Sequence, residues 1–129
     1  MEKQKKILAI DDVTHILKVI ECRLKATGYN VVTTSYENLA FKKAKDEKPD
    51  LILLDVMMSK ADSGFIILSQ LKKDPETKNI PVIMLTAKGD KNDIVQAVKL
   101  GATDYLKKPF DSQTLVSKIQ DIFAKNSST

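Results

Sequence analysis

The sequence has few of the residues that cross-link a fold or bind zinc. Among its 129 residues there is one cysteine, Cys22, one histidine, His15, and no tryptophan. A single cysteine excludes an internal disulfide, and its helical surroundings predict an ordinary helix residue rather than a catalytic thiol. With no second histidine or paired cysteine, His15 is expected to be a solvent-facing helix residue rather than a zinc ligand. The fold must therefore be held by an apolar core, for which the chain is long enough.

The chain also lacks a long apolar run and a concentrated charge. No stretch approaches the roughly 18 residues that a membrane-spanning helix needs, and ILAI is too short for a signal-peptide core. We therefore expect a cytoplasmic protein without membrane contact. The net charge of +4 comes from scattered lysines and one arginine, Arg23. Without clustered positive charge, direct nucleic-acid binding by this chain is not expected.

Short apolar strands alternate with amphipathic helices along the chain. Strands are predicted at 7–10, 29–35, 51–54, 82–85 and 104–106. Helices are predicted at about 13–24, 37–47, 65–71, 94–100 and 112–124, with Gly28 after the first and Ser112 as a cap for the last. Five such units predict one α/β domain over 1–129, with its core at about 6–124 and a frayed tail at 125–129. The sheet should be parallel and covered by helices on both faces.

Charged and polar residues follow four of the predicted strands. Asp11 and Asp12 follow the first strand, Asp55 the third, Thr86 the fourth and Lys108 the fifth. Ligands of open α/β sheets bind at the carboxyl ends of the strands. We therefore expect these five side chains to converge on one site.

The chemistry of that site follows from its charges. Three close carboxylates repel one another, and one close pair costs on the order of a few kcal/mol at an effective dielectric constant of about 20. An all-oxygen site with room for water suits Mg²⁺. The hydroxyl of Thr86 and the ammonium of Lys108 suit an anion beside the metal, most simply a phosphoryl group. An acid between Mg²⁺ and a lysine can itself be the nucleophile and form an acyl phosphate.

Four segments in this order carry a family resemblance. They are IDD with Asp11 and Asp12, LILLDVMM with Asp55, PVIMLTA with Thr86, and GATDYLKKPF with Tyr105, Lys108 and Pro109. With these segments, the chain resembles the receiver domain of two-component response regulators over about residues 6–123. The resemblance implies a doubly wound, flavodoxin-like sheet with the strand order 2-1-3-4-5.

The resemblance also assigns roles to the acids. It implies that Asp55 is the phosphoacceptor and takes its phosphoryl group from a sensor histidine kinase or a histidine phosphotransfer protein. Asp12 is implied to ligate Mg²⁺ directly, and Asp11 largely through water. The backbone carbonyl of Met57 is implied as a further ligand.

The remaining implied roles concern the conformational change that follows phosphorylation. Lys108 is implied to contact the phosphoryl group and to be aimed into the site by a cis bond to Pro109. Thr86 is implied to swing toward the phosphoryl group while Tyr105 turns inward. The surface that changes would include the fourth helix, the fifth strand and the fifth helix, near Lys88 to Tyr105, and would control a downstream protein or output domain. That face is also a candidate for a phosphorylation-dependent dimer.

The loop after the phosphoacceptor departs from the family pattern. Family members usually have a proline four residues after the acceptor and a glycine eight after it. This chain has Ser59 at the first position, and its glycine is Gly64, nine residues after Asp55. We therefore expect a loop one residue longer, with consequences for partner recognition and the dephosphorylation rate.

Other functions on such a fold fit less well. A phosphatase with an aspartyl-phosphate intermediate would use a second acid two residues after the nucleophile, where this chain has Met57. A flavin carrier would need a loop rich in Ser, Thr or Gly after the first strand, where this chain has DDVTH. We expect a switch that dephosphorylates itself slowly rather than a turnover enzyme. It would be a stand-alone protein or a piece of a larger DNA-binding regulator or hybrid kinase.

Overall fold

Five parallel strands alternate with helices in the computed structural model, which describes residues 4–87 and 91–127. The strands are β1 (Lys6–Ile10), β2 (Asn30–Thr34), β3 (Leu51–Asp55), β4 (Val82–Thr86) and β5 (Asp104–Lys107). The helices are α1 (Thr14–Ala26), α2 (Ala40–Glu47), α3 (Ser63–Lys73), α4 (Lys91–Lys99) and α5 (Ser112–Ser127), with a 3₁₀ turn at Glu37–Leu39. The strand order is β2-β1-β3-β4-β5, as the resemblance implies.

The apolar strands are buried because helices cover both faces of the sheet. In β3, Leu51 and Leu53 pack on the side of α1 and α5, whereas Ile52 and Leu54 pack on the side of α2, α3 and α4. All four side chains are fully buried. Burying one such side chain contributes roughly 1.5–3 kcal/mol, so the continuous apolar run is explained by a strand covered on both sides.

The first helix follows the predicted spacing. Its buried residues are Leu17, Ile20 and Leu24, which recur at helical intervals. Gly28 follows it with a φ of +106°, a left-handed conformation that glycine adopts without strain. His15 and Cys22 are exposed on this helix, in agreement with the expectation that they are ordinary helix residues.

Two helices differ from their predicted bounds. α4 begins at Lys91, whereas the predicted start is residue 94. The sequence did not indicate the earlier start because the first turn is polar and has no apolar periodicity. Asp93 in that turn favours the N-terminus of a helix. α5 continues through Ser127 instead of ending near residue 124, since no glycine or proline stops it. Residues 128 and 129 lie outside the described residues, and the frayed tail at 125–129 stays a prediction.

The predicted cap of α5 was also displaced by one residue. Ser112 is the first helical residue, and Asp111 stands in front of the helix. The Asp111 carbonyl accepts the backbone N–H of Leu115 at 3.1 Å, and its carboxylate accepts the Thr114 hydroxyl at 3.5 Å. Aspartate and serine are both good helix caps, and the sequence DS did not distinguish them.

Candidate functional site

Three acids meet at the carboxyl edge of the sheet. Asp11 and Asp12 follow β1 directly, and Asp55 is the last residue of β3. Because Ile10 pairs with Leu54, Asp11 and Asp55 leave neighbouring strands at the same level. One carboxylate oxygen from each acid lies within 4.8 Å of the others. The predicted convergence of these acids is confirmed.

Lys108 brings a positive charge into this cluster. Its ammonium lies 2.5 Å from Asp11 Oδ2 and 3.2 Å from Asp55 Oδ1. Its backbone N–H donates a 2.7 Å hydrogen bond to the Thr86 carbonyl, which joins the ends of β5 and β4. The peptide bond from Lys108 to Pro109 is cis, as the resemblance implies. With only 13% of its side chain exposed, Lys108 belongs to the acid cluster rather than to the surface.

The surroundings of Asp55 disfavour its charged form. Its pKa is raised to about 7, first because the carboxyl group is buried and second because the charge of Asp11 is close. The ammonium of Lys108 opposes this shift. A further cation in the cluster would therefore favour the ionised form of Asp55, which is the nucleophilic one.

The donor set suits a small divalent cation. Asp11 Oδ1 accepts a 2.9 Å hydrogen bond from the backbone N–H of Val13. Asp11 Oδ2 is buried and, within the described parts of the chain, accepts no hydrogen bond of normal geometry. The nearby ammonium of Lys108 thus forms an ion pair with this oxygen without a well-directed hydrogen bond. With the exposed carboxylate of Asp12 beside them, these are the oxygen ligands that Mg²⁺ takes.

A cavity of about 490 Å³ adjoins the acids. Its lining includes Asp12, Asp55, Met57, Thr86 and Lys108. Thr86 is the last residue of β4 and is buried. The structure therefore brings these five predicted site residues to one cavity, which has room for a phosphoryl group and water.

Tyr105 is not among the described residues that line this cavity. It lies on β5, is 37% exposed, and has the Lys118 ammonium 5.6 Å from its ring centroid. Lys118 also pairs with Asp104 at 3.1 Å. The ring thus lies at the surface beside α5, and its inward turn stays a prediction. Lys88, at the start of the surface predicted to change, lies outside the described residues.

The loop after Asp55 has two anchors that sequence reasoning missed. The Gly64 N–H donates a 2.7 Å hydrogen bond to the Val56 carbonyl, and a Cβ on Gly64 would lie 2.1 Å from the Asp55 carbonyl oxygen. Glu37 accepts hydrogen bonds from the Ser59 backbone N–H and hydroxyl at 2.8–3.0 Å. Glu37 and Ser59 are 22 positions apart, and no sequence pattern connects them.

Comparison with known proteins identifies the class to which this fold and site belong. The family described as the response regulator receiver domain matches residues 7–120. The chain belongs to this family and is a receiver domain of a two-component response regulator. Its structure is similar to that of a putative response regulator from Chloroflexus aurantiacus, with a TM-score of 0.87 and 32% identity over 95% of this chain and 99% of the other. It also resembles the chemotaxis protein CheY4 of Vibrio cholerae, with a TM-score of 0.86 and 30% identity over 92% and 98% of the two chains.

The curated relatives are longer than this chain. The regulatory protein PhoP of Bacillus subtilis, named for alkaline phosphatase synthesis and transcription, is 40% identical over 95% of this chain and 50% of its own length. A probable transcriptional regulator, ycf27, of Guillardia theta is 38% identical over 97% of this chain and 48% of its own length. The chain therefore spans about half the length of these relatives. Over the described ranges 4–87 and 91–127, no helix is both long and apolar enough to cross a bilayer.

Proposed function

We propose that Asp55 accepts a phosphoryl group from a phosphohistidine of a sensor histidine kinase or a histidine phosphotransfer protein. The observation that carries the proposal is the buried Asp55 carboxylate, 3.2 Å from the Lys108 ammonium and grouped with two further acids beside a cavity. A receiver domain implies such a kinase as its partner.

The side chains present suit this transfer. An oxygen of Asp55 attacks the phosphorus atom, the phosphorus–nitrogen bond breaks, and the imidazole of the donor keeps the electron pair and takes up a proton. The Lys108 ammonium lies where it can offset negative charge on the phosphoryl oxygens. Thr86 lines the same cavity, so its hydroxyl can donate a hydrogen bond to one of these oxygens.

We propose Mg²⁺ as the cofactor of this site. Its protein ligands would be carboxylate oxygens of Asp11, Asp12 and Asp55 and the backbone carbonyl of Met57. When bound, Mg²⁺ supplies positive charge that offsets the carboxylates and the phosphoryl oxygens. The buried Asp11 Oδ2, which has an ion pair but no well-directed hydrogen bond, supports this assignment.

The consequence of phosphorylation would be a shift between two conformations. Thr86 would move toward the phosphoryl group, and Tyr105 would leave its surface position. Exposed apolar side chains lie on the adjoining face, with Val95 and Val98 of α4 45% and 64% exposed. Such side chains support this face as the contact for a partner, an output region or a second phosphorylated copy.

A switch explains the site better than a turnover enzyme. Position 57 is methionine, so the second acid expected of an aspartyl-phosphate phosphatase is missing there. Relatives about twice as long bear the names of transcriptional regulators, which supports a role as the receiver part of a DNA-binding regulator. We place the reaction in the cytoplasm, where a free thiol such as that of Cys22 stays reduced.

The test is the intact mass of the protein after incubation with acetyl phosphate. We expect wild type to gain one phosphoryl group in Mg²⁺ and none in chelator, and Asp55→Asn to gain none in either. Asp46→Asn, which removes an exposed acid paired with Lys42 on α2, should behave as wild type. Equal labelling of wild type and Asp55→Asn would contradict the assignment of the phosphoacceptor.

A further inference from the structure

We infer that Glu37 is a positioning residue for the Mg²⁺ site, because it anchors the loop that carries Met57. This inference rests on the proposed function, which assigns the Met57 carbonyl as a ligand. Glu37 itself is partly buried and is not a ligand in that proposal. Its effect would reach the metal through the backbone of residues 57–63.

The contacts of Glu37 are concentrated on this loop. Its Oε1 accepts the Ser59 backbone N–H at 3.0 Å and the Ser59 hydroxyl at 2.9 Å, and its Oε2 lies 2.8 Å from the same hydroxyl. Hydrogen bonds from the hydroxyl of Ser63 and from Ser59 hold the pKa of Glu37 below its usual value. The Ser63 hydroxyl also accepts the Lys60 backbone N–H at 2.9 Å. The Glu37 carboxylate thus holds the loop at Ser59 through both the backbone and the side chain of that residue.

Met57 lies between this anchor and a second one. On its other side, the Val56 N–H donates to the Leu85 carbonyl at 2.9 Å, and the Val56 carbonyl accepts the Gly64 N–H at 2.7 Å. The Met57 side chain is 46% exposed, so burial contributes little to its position. The Met57 backbone is therefore held by Val56 before it, and after it by the buried Met58 side chain together with the Ser59 anchor.

The anchor lies directly in front of a helix that is packed in the core. Glu37 opens the 3₁₀ turn in front of α2, where the Leu39 N–H donates to the Tyr36 carbonyl at 3.0 Å. Directly behind it, Ala40 and Ala44 of α2 are buried in the core. A group that orients a ligand from a rigid element typically changes metal affinity about 10- to 100-fold when removed.

The experiment is a calorimetric Mg²⁺ titration at constant ionic strength, combined with amide hydrogen exchange over residues 57–63. We expect Glu37→Gln to bind Mg²⁺ about tenfold more weakly than wild type. The Ser59 amide should then exchange faster. Ser59→Ala keeps the backbone donor and loses the hydroxyl, so its affinity should fall less. The double variant should lose less than the sum of the two effects, because both substitutions remove the same contact.

Asp46→Asn is the matched control. It removes the same charge from α2, but its carboxylate pairs with Lys42 and not with the loop. Its Mg²⁺ affinity should stay within about twofold of wild type at this ionic strength. An equal loss in Asp46→Asn would show a general charge effect and would overturn the positioning role.

The remaining outcomes separate the two proposals. Equal affinities of wild type and Glu37→Gln overturn the positioning role and leave the proposed Mg²⁺ site intact. A wild type that binds no Mg²⁺ overturns both. Should Glu37→Gln melt far below wild type, Ser59→Ala decides the question, since unchanged Mg²⁺ affinity in that folded variant contradicts the inference.

Discussion

The charged side chains at the two edges of the sheet differ in their exposure and in their ion pairing. At the amino edge, the Lys6 ammonium pairs with Glu47 at 3.2 Å and the Lys6 backbone N–H donates to Asp50 at 2.8 Å. The side chains of Lys6 and Glu47 are 30% and 32% exposed, so water also solvates both charged groups. At the carboxyl edge, the Asp11 and Asp55 side chains are 0% and 5% exposed and share the ammonium of Lys108.

This difference in charge compensation distinguishes an edge that contributes to stability from an edge that forms the candidate site. Within residues 4–87 and 91–127, the acids at the amino edge are balanced by local partners, whereas three acids at the carboxyl edge share one lysine. Buried charge without full compensation lowers stability. Under the proposed function, a cation and a phosphoryl group would complete this arrangement. Two predictions use matched substitutions to test this contrast, and a third uses the pH dependence of stability.

Among the substitutions, the largest effect is expected from removal of the shared lysine. Lys108→Met leaves Asp11 buried without its ion-pair partner and should lower the free energy of unfolding by about 3 kcal/mol in chelator. The matched substitution Lys6→Met, in a partly exposed pair, should cost less than about 1 kcal/mol. Urea denaturation of both variants measures the difference. Equal losses would show that the two edges do not differ as described.

A second contrast concerns two glycines. Gly64→Ala would place a Cβ against the Asp55 carbonyl oxygen, so the backbone beside Asp55 must shift. We expect a loss of about 2 kcal/mol together with reduced phosphorylation. Gly28→Ala meets no atom within 4 Å and carries only the strain of its φ of +106°, about 1 kcal/mol, with phosphorylation unchanged. Unchanged phosphorylation in a folded Gly64→Ala would contradict this account of the loop.

Sequence patterns predicted the sheet and most of the site because both follow from strand ends. Apolar runs such as LILL give a covered strand, and the residue after each run must lie at the carboxyl edge. Asp11, Asp55 and Lys108 could be placed this way without knowledge of the rest of the fold. The cis bond before Pro109 came from the family resemblance and was confirmed.

The features that the sequence could not predict depend on contacts between surface segments that are far apart along the chain. The hydrogen bonds from Ser59 to Glu37 join two loops, and neither loop has a hydrophobic period that fixes its path. The start of α4 was missed for a related reason, since its first turn is polar. Lys72 is a further example, since its ammonium donates to the carbonyls of Lys78 and Ile80 and no sequence pattern indicates these contacts.

The third prediction concerns pH and the charge of Asp55. Its pKa is about 7 in the folded protein, compared with an ordinary value of 3.8. Between these values the folded state holds a proton that the unfolded state has released. The free energy of unfolding should therefore fall as the pH rises from about 4 to about 7, and then level off. The fall should be on the order of 4 kcal/mol, since the two pKa values differ by about 3 and a difference of one corresponds to about 1.4 kcal/mol.

The most direct test of this account is the stability of wild type and Asp55→Asn, measured across this pH range in chelator and again in Mg²⁺. In chelator near pH 7, we predict that Asp55→Asn is the more stable protein, because it lacks the buried charge. In Mg²⁺ its advantage should shrink, because the cation stabilises the ionised wild type. An Asp55→Asn variant less stable than wild type in chelator would contradict the central claim. That claim is that the acids of the carboxyl edge lower the stability of the protein without its ligand and serve to bind that ligand.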